Sequence, residues 1–222
     1  MPDRPTAQDL VVWGEALAGI ARTGLGFTDN LYERERFEEV LRIAAEIRSA
    51  AVGDPDPEAL ATEWMKSVGA GVPGYVTPKV AVGAVVGDDQ GRILLVRRAD
   101  SGIWLYPTGW ADVGYSPSEV AVKEVFEETG IRCEPVRVLS VLDGMRLGFT
   151  QIPLVSIVFL CRAVGGEIDP HPLETSGCGW FTRDDLPEPT AGADRWGDEA
   201  FRAIDGEMLD TSFDFPRQPP WD

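Results

Sequence analysis

An α/β (α+β) sheet domain preceded by a small N-terminal helical bundle is the architecture this sequence predicts. Residues 9 to 70 carry apolar side chains at helical spacing. GAGVPGYVTP, residues 69 to 78, then gathers three glycines and two prolines into a boundary. Beyond it, short β-rich runs are interleaved with one central helix. The organisation expected is therefore a helical extension over 1–70, a sheet domain over 71–190 and a tail over 191–222.

In the extension, Leu10, Trp13, Leu17 and Ile20 form one stripe, with Gly24 as its stop. Asn30 with Glu33 three residues on has the form of a capping box, and opens a helix lined on one side by Phe37, Val40, Leu41, Ala44 and Ile47. Asp56 followed by Pro57 starts a third, with Leu60, Trp64 and Val68 inward and Gly69 at its end. So small a bundle seldom stands alone and is expected to cover something.

In the sheet domain, Lys79 to Val86 and Arg92 to Arg97 are β-rich runs joined by the hairpin composition GDDQG. A brief segment spans Ile103 to Tyr106, and strand-like runs recur at Pro135 to Leu142, Leu154 to Cys161 and Gly179 to Thr182. The tail, rich in Asp, Gly and Pro from Thr190, holds a short helix near Asp198 to Met208. It ends in DFPRQPPWD, which reads either as an extended strap docked through Phe215 and Trp221 or as a disordered end.

Composition narrows the function. With 222 residues, 44% hydrophobic, and seven Trp, the chain can bury a sizeable core. A net charge of -17 lacks the positive footprint that nucleic-acid polymers or anionic membranes attract. An anionic small molecule would need local cations, from a metal or a few arginines. No apolar run is long enough to span a bilayer, MPDRPTAQDL lacks a signal peptide's pattern, and the cytoplasm is the expected location. Cys133, Cys161 and Cys178 fit neither a disulfide framework nor a zinc ribbon and read as buried thiols. His171 is the only histidine, and no nucleophile motif accompanies it.

The central helix, Ser118 to Thr129, is closed by Gly130, where a C-cap favours positive φ. Glu124, Glu127 and Glu128 stand at i, i+3 and i+4, within one arc of roughly 100°. Val122, Val125 and Phe126 fall on the other side. Like charges at this spacing repel, and two of them lie in the last turn, where the helix dipole disfavours anions. A bound cation would reverse both effects. A solvated acidic face and a metal site, with the three carboxylates presented to a common point, are both open on these residues alone.

The stretch GWADVGYSPSEVAVKEVFEETGI, residues 109 to 131, resembles the Nudix box, Gly-x5-Glu-x7-Arg-Glu-U-x-Glu-Glu-x-Gly-U with U aliphatic. Gly109 matches the first glycine, Glu124 and Val125 the Glu-U pair, Glu127 and Glu128 the metal-binding pair, and Gly130 and Ile131 the end. YVTPKV at 75 to 80, GWADVG at 109 to 114 and GWF followed by DLP at 179 to 187 are similar to a bacterial Nudix subfamily with a helical N-terminal extension. TGLGFTDNLYERERFEEVLRIAAE, residues 23 to 46, is similar to that extension, so the resemblance covers residues 9 to about 188.

The resemblance implies an αβα sandwich with a mixed sheet, and metal-dependent hydrolysis of a diphosphate linkage in a nucleoside diphosphate derivative of ADP-ribose or CDP-alcohol type. It implies Mg2+ (or Mn2+) on Glu124, Glu127 and Glu128, with the Gly109 carbonyl as a further ligand. The general base stays open among Glu128, Glu124 through a bound water, Asp143 and Glu174. Arg97, Arg98 and Arg146 are candidate phosphate or ribose contacts. Trp104, Tyr106 and Trp110 are candidates to stack a base, with core packing as the alternative. The N-terminal bundle is expected to support a homodimer or to close the pocket.

The chain departs from the box at Tyr115, where the pattern has Glu, and at Lys123, where it has Arg. Lys does not reproduce a bidentate Arg fork. Thr108 stands where the family commonly has glycine, and Ala81 and Gly83 where the subfamily often has Asp and Arg. These differences keep two other readings alive: a Nudix-fold ligand-binding or regulatory protein with little turnover, and a specialised-pathway phosphohydrolase with an unusual substrate.

Overall fold

A computed structural model describes residues 4–53, 56–71, 74, 77–170 and 174–217. His171 and Trp221 lie outside them. The chain divides into two compact units, Met1–Pro78 with Gly148–Pro153, and Lys79–Leu147 with Leu154–Asp222.

The first unit holds α1 (Ala7–Phe27), α2 (Leu31–Val52) and α3 (Pro57–Lys66). Thr6 caps α1 in a reciprocal box with Asp9. Gly24 does not stop this helix, which continues to Phe27. A Cβ there would lie 2.3 Å from the Phe37 ring, so the glycine makes room for an aromatic side chain instead of ending the element. The buried face of α1 is Val11, Gly14, Ala18, Ala21 and Leu25, which corrects the expected stripe. Small residues let α1 close on Leu41 and Ala44 of α2, and the bulkier Trp13 and Ile20 are left exposed. On α2 the expected face holds, with Leu41 and Ala44 buried and Phe37 and Val40 packed against them. Asn30 caps Tyr32 and Glu33, while the Glu33 carboxylate accepts from the Thr28 hydroxyl instead of completing a box. Asp56 caps α3 through the Ala59 N–H.

In the second unit, eight strands among the described residues form one mixed sheet. They are β1 (Lys79–Gly87), β2 (Ile93–Arg98), β3 (Trp104–Leu105), β4 (Thr108–Trp110), β5 (Ile131–Asp143), β6 (Leu154–Gly166), β7 (Thr175–Phe181) and β8 (Ser212–Phe213). The main path runs β3-β2-β1-β6-β5-β8, with β4 paired to β1 and β7 to β2. The pairs β1/β6 and β5/β8 are parallel and the others antiparallel. Helix α4 (Pro117–Thr129) packs on one face and α5 (Ala193–Ile204) on the other, giving the helix-sheet-helix sandwich expected.

The period of two decides which side chain meets which helix. Val82, Ala84 and Val86 of β1, Leu94 of β2, and Phe159 and Cys161 of β6 pack with Val120, Ala121 and Val125 of α4. Their alternates Val85, Ile93, Leu95, Val158 and Leu160 pack with Ala200, Phe201 and Ala203 of α5. On β5, Ile131 and Cys133 join the α4 side but Leu139 joins the α5 side. The register shift between Pro135 and Arg137 changes the parity between them, so that Val138 falls on the α4 side and Leu139 on the α5 side. Cys133 and Cys161 are buried as expected, and Cys178 is half-buried.

Two expectations about helices change. The face of α4 toward the sheet is Val120, Ala121, Val125 and Thr129, which leaves Phe126, about 100° round from Val125, exposed. The last helix starts at Ala193, five residues before the expected Asp198, and ends at Ile204. Of the strap, Asp214 accepts from the Asp143 N–H and the Phe215 carbonyl accepts from the Arg146 guanidinium, and the residues before it dock on β5. Ser212 and Phe213 pair with Ser140 and Val141, and the Arg137 guanidinium donates to the carbonyls of Glu207 and Leu209.

The C-terminus of α4 passes straight into β5 through Gly130, at φ 74°, whose N–H donates to the Phe126 carbonyl. A Cβ at Gly130 would lie 2.5 Å from the Glu167 carbonyl oxygen. Gly130→Ala is therefore expected to destabilise the protein by at least about 1–2 kcal/mol, the usual cost of left-handed backbone with a side chain. A drop in Tm checks this, and an unchanged Tm would contradict it.

Candidate active site

Three segments of the second unit meet at the candidate site. Strand β4 brings Thr108, Gly109 and Trp110 beside β1, in register with Gly83, Val82 and Ala81. The loop after it carries Asp112, and α4, capped by Ser116 and opened by Pro117, aims its acidic face back at β4. An open cleft of about 470 Å³ lies between them, with Arg98, Asp100 and Glu174 on its other wall.

Glu124 is the most tightly placed carboxylate. It packs on the Cα of Gly109 so closely that a Cβ at 109 would lie 2.2 Å from its Cδ. Burial pushes its pKa up, an effect that the Lys123 charge partly offsets. Glu128 accepts from the Thr108 N–H at 3.2 Å. Its pKa is pushed up to about 7, chiefly by burial and further by the charges of Glu124 and Glu174; the Thr108 N–H and Arg98 oppose the rise. Glu127 stands nearer solvent, its side chain 51% exposed.

Lys123 sits among these groups. Its Nζ lies 3.1 Å from Glu127 Oε2, 3.4 Å from Glu124 Oε1 and 3.4 Å from Asp112 Oδ2. The bond to Glu127 is the main reason its pKa is raised, with the Glu124 charge adding to it. Among the described residues, no three His, Cys, Asp or Glu side chains converge as a finished ligand set. The three glutamates share a cleft but not the expected common point, because Lys123 lies against two of them and Glu128 turns to Thr108. The donor chemistry nevertheless fits a hard divalent cation. All the donors are oxygens, and two of the carboxylates are held in a setting where their charged forms are disfavoured without a positive partner.

Of the expected substrate contacts, Arg98 lines the cleft, its guanidinium forked onto Asp100 at 3.0 and 2.6 Å. Four others do not. Arg97 donates to the Gly102 carbonyl, and Arg146 donates to that of Phe215 in the tail. Trp104 meets Phe181 edge-on at 5.2 Å and Tyr106 meets Trp196 edge-on at 5.4 Å, both against the α5-side core. Their role is core packing, and Gly83 faces the Tyr106 ring. Among the described residues, the aromatic side chain at the cleft is Trp110, 48% exposed, with Lys79 Nζ 5.4 Å from its ring centre. Asp143 is engaged with the Arg146 N–H and, through its own N–H, with Asp214, so of the two loop carboxylates considered as base only Glu174 borders the cleft.

Sequence reasoning passed over Asp112 and Asp100. A signal for Asp112 existed. With Tyr115 in place of the box glutamate, the cation at Lys123 needed another acceptor, and Asp112 is a carboxylate on the same loop.

Comparison with known proteins bears on the family and the fold. Residues 77–202 match the NUDIX domain, and residues 8–62 match a UDP-X-like, N-terminal oligomerisation domain. The chain is 36% identical over 176 residues to a putative ADP-ribose pyrophosphatase of Bacillus subtilis (strain 168), covering 78% of this chain and 80% of that one. Among solved structures, an ADP-ribose pyrophosphatase from Streptococcus suis 89-1591 is 35% identical and superimposes with a TM-score of 0.54, over 62% of this chain and 100% of that one. A UDP-X diphosphatase is 29% identical with a TM-score of 0.55, over 95% of this chain and 100% of that one.

The raised pKa of Glu128 has a measurable consequence in metal-free buffer. Between its ordinary 4.5 and about 7, the folded chain holds a proton that the unfolded chain has released. The contribution of this group to stability is fullest below pH 4.5 and is lost as pH rises through about 7. The stability advantage of Glu128→Gln over the parent is thus expected to grow across that window in denaturant titrations. A constant difference would contradict a carboxyl whose pKa is raised by loss of solvent.

Proposed function

The chain belongs to the Nudix family of hydrolases, and from that premise we propose that it hydrolyses the diphosphate linkage of a nucleoside diphosphate derivative, with ADP-ribose the first candidate. The observation that carries this reading is the pair of half-buried carboxylates, Glu124 against Gly109 and Glu128 against Thr108, in a cleft that also holds Arg98. Relatives named for ADP-ribose and for UDP-X share a nucleoside diphosphate, which supports the substrate class. A CDP-alcohol is a second member of that class.

Glu124, Glu127 and Glu128, with the Gly109 carbonyl, are the residues that would hold Mg2+ or Mn2+. Such an ion, when bound, neutralises diphosphate charge and makes a bound water more acidic. The protein's own groups do the rest. To Glu128 or Glu174, or to Glu124 through a bound water, all of which border the cleft, we assign the proton from the attacking water. Arg98, held in orientation by Asp100, offers its guanidinium to a phosphate, and the exposed ring of Trp110 offers a face to a base.

The acidic chain, at -17, suits a small anionic ligand held by local cations better than a nucleic-acid polymer or a membrane surface. Among the described residues no helix is long and apolar enough to cross a membrane, and we read the setting as cytoplasmic. For assembly we propose a homodimer. The N-terminal region matches an oligomerisation domain, and Trp13, Ile20 and Phe27 recur every seven residues on the exposed side of α1.

Phosphate release from a panel of nucleoside diphosphate derivatives with Mg2+ or Mn2+, coupled to a phosphatase, tests the reaction. Glu127→Gln and Glu128→Gln are each expected to lower turnover by at least about tenfold to a hundredfold. Tight ligand binding without turnover would instead support a ligand-binding protein, a reading that Lys123 favours by already pairing with two of the glutamates. For the assembly, Trp13→Glu with Ile20→Glu is expected to give a monomer in sedimentation, and an unchanged mass would reject that interface.

A further inference from the structure

We propose that Lys123 is a built-in counter-cation of the glutamate cluster, and that Asp112 is the acceptor onto which it retreats when a divalent cation takes Glu124 and Glu127. This rests on the metal-site reading above. One ammonium lies within 3.1 to 3.4 Å of carboxylates from two separate elements, Glu124 and Glu127 on α4 and Asp112 on the loop before it. Three donors on one nitrogen satisfy all three at once.

Two of those partners are proposed metal ligands and the third is not, which gives the ammonium two distinct places to rest. An ammonium cannot ligate a metal, and its charge repels one held by the same oxygens. The flexible four-carbon stem of lysine permits a small displacement that a planar guanidinium, held by its fork, resists. The Asp112 side chain is 56% exposed, like Glu127 at 51% and unlike Glu124 at 15%, so the path away from Glu124 leads outward. Tyr115, where the family pattern would put an acid, is half exposed, and its N–H donates to the Asp112 carbonyl. Asp112 thus supplies a carboxylate on this loop, where position 115 has none.

The signs of three substitutions separate this device from simpler ones. Removing the ammonium in Lys123→Met should tighten divalent binding by about fivefold, the scale of one partly exposed ion pair. Removing the retreat in Asp112→Asn should weaken it by about fivefold. In the double variant the Asp112→Asn effect should vanish, leaving an affinity within about twofold of Lys123→Met.

Mn2+ titration followed by electron paramagnetic resonance, on the full chain at low salt, reads all of these without turnover. Lys123→Arg, which keeps the charge but resists the displacement, should bind Mn2+ more weakly than the parent, and melting curves establish that each variant is folded. If Lys123→Met weakens binding, the lysine only aligns the ligands and the proposal is wrong. If the Asp112→Asn loss persists in the Lys123→Met background, Asp112 acts on the metal directly and the proposal is equally wrong. A parent protein that binds no Mn2+ would remove the metal-site reading and this inference together, whereas a parent that binds and a cycle that fails removes the inference alone.

Discussion

The close approach of the Glu124 carboxylate to the Gly109 backbone is the contact on which the rest of the site depends. It sets the distance between β4 and α4, and no residue larger than glycine permits it. Once that distance is set, the carboxylates near it lose solvent, and the pKa of both Glu124 and Glu128 rises. A catalytic site usually has to hold charge where charge is unwelcome, and here the unfavourable desolvation is imposed by packing.

Holding α4 at that distance requires both ends of the helix to be fixed. At the start, Ser116 and Glu119 satisfy each other's backbone N–H groups. At the end, the Thr129 hydroxyl accepts from the Ile131 N–H, and Gly130 turns the chain directly into β5. Between them, Val120, Ala121 and Val125 lie on the sheet beside Phe159 and Cys161. The irregular register of β5 matters for the same reason. It lets one strand serve the α4 side with Ile131 and Cys133 and the α5 side with Leu139.

Much of this was legible in the sequence because it depends on local rules. Helix caps at Asn30, Asp56 and Gly130, the hairpin at residues 87–91 and the carboxylate spacing at Glu124, Glu127 and Glu128 follow from backbone preference and the 3.6-residue period. Where reading failed, two structures satisfied the same local rule. Trp13 and Ile20 have the spacing of a core face, but Gly14, Ala18 and Ala21 have it too, and only the neighbouring helix selects the small-residue face. Trp104 and Tyr106 are aromatic and near the box, yet the pleat of the sheet turns them toward α5.

The sequence by itself determined the longer strands around one central helix and the three glutamates on one face of that helix, both set by interactions within a few residues. Tertiary structure alone decided which side chains meet in the cleft. Asp112, Arg98 and Glu174 come from three separate segments, and Arg97, one residue from Arg98, is turned to the Gly102 carbonyl instead. Pairing across a sheet and packing on its two faces join residues far apart in the chain, and their electrostatics depend on burial that no local pattern specifies.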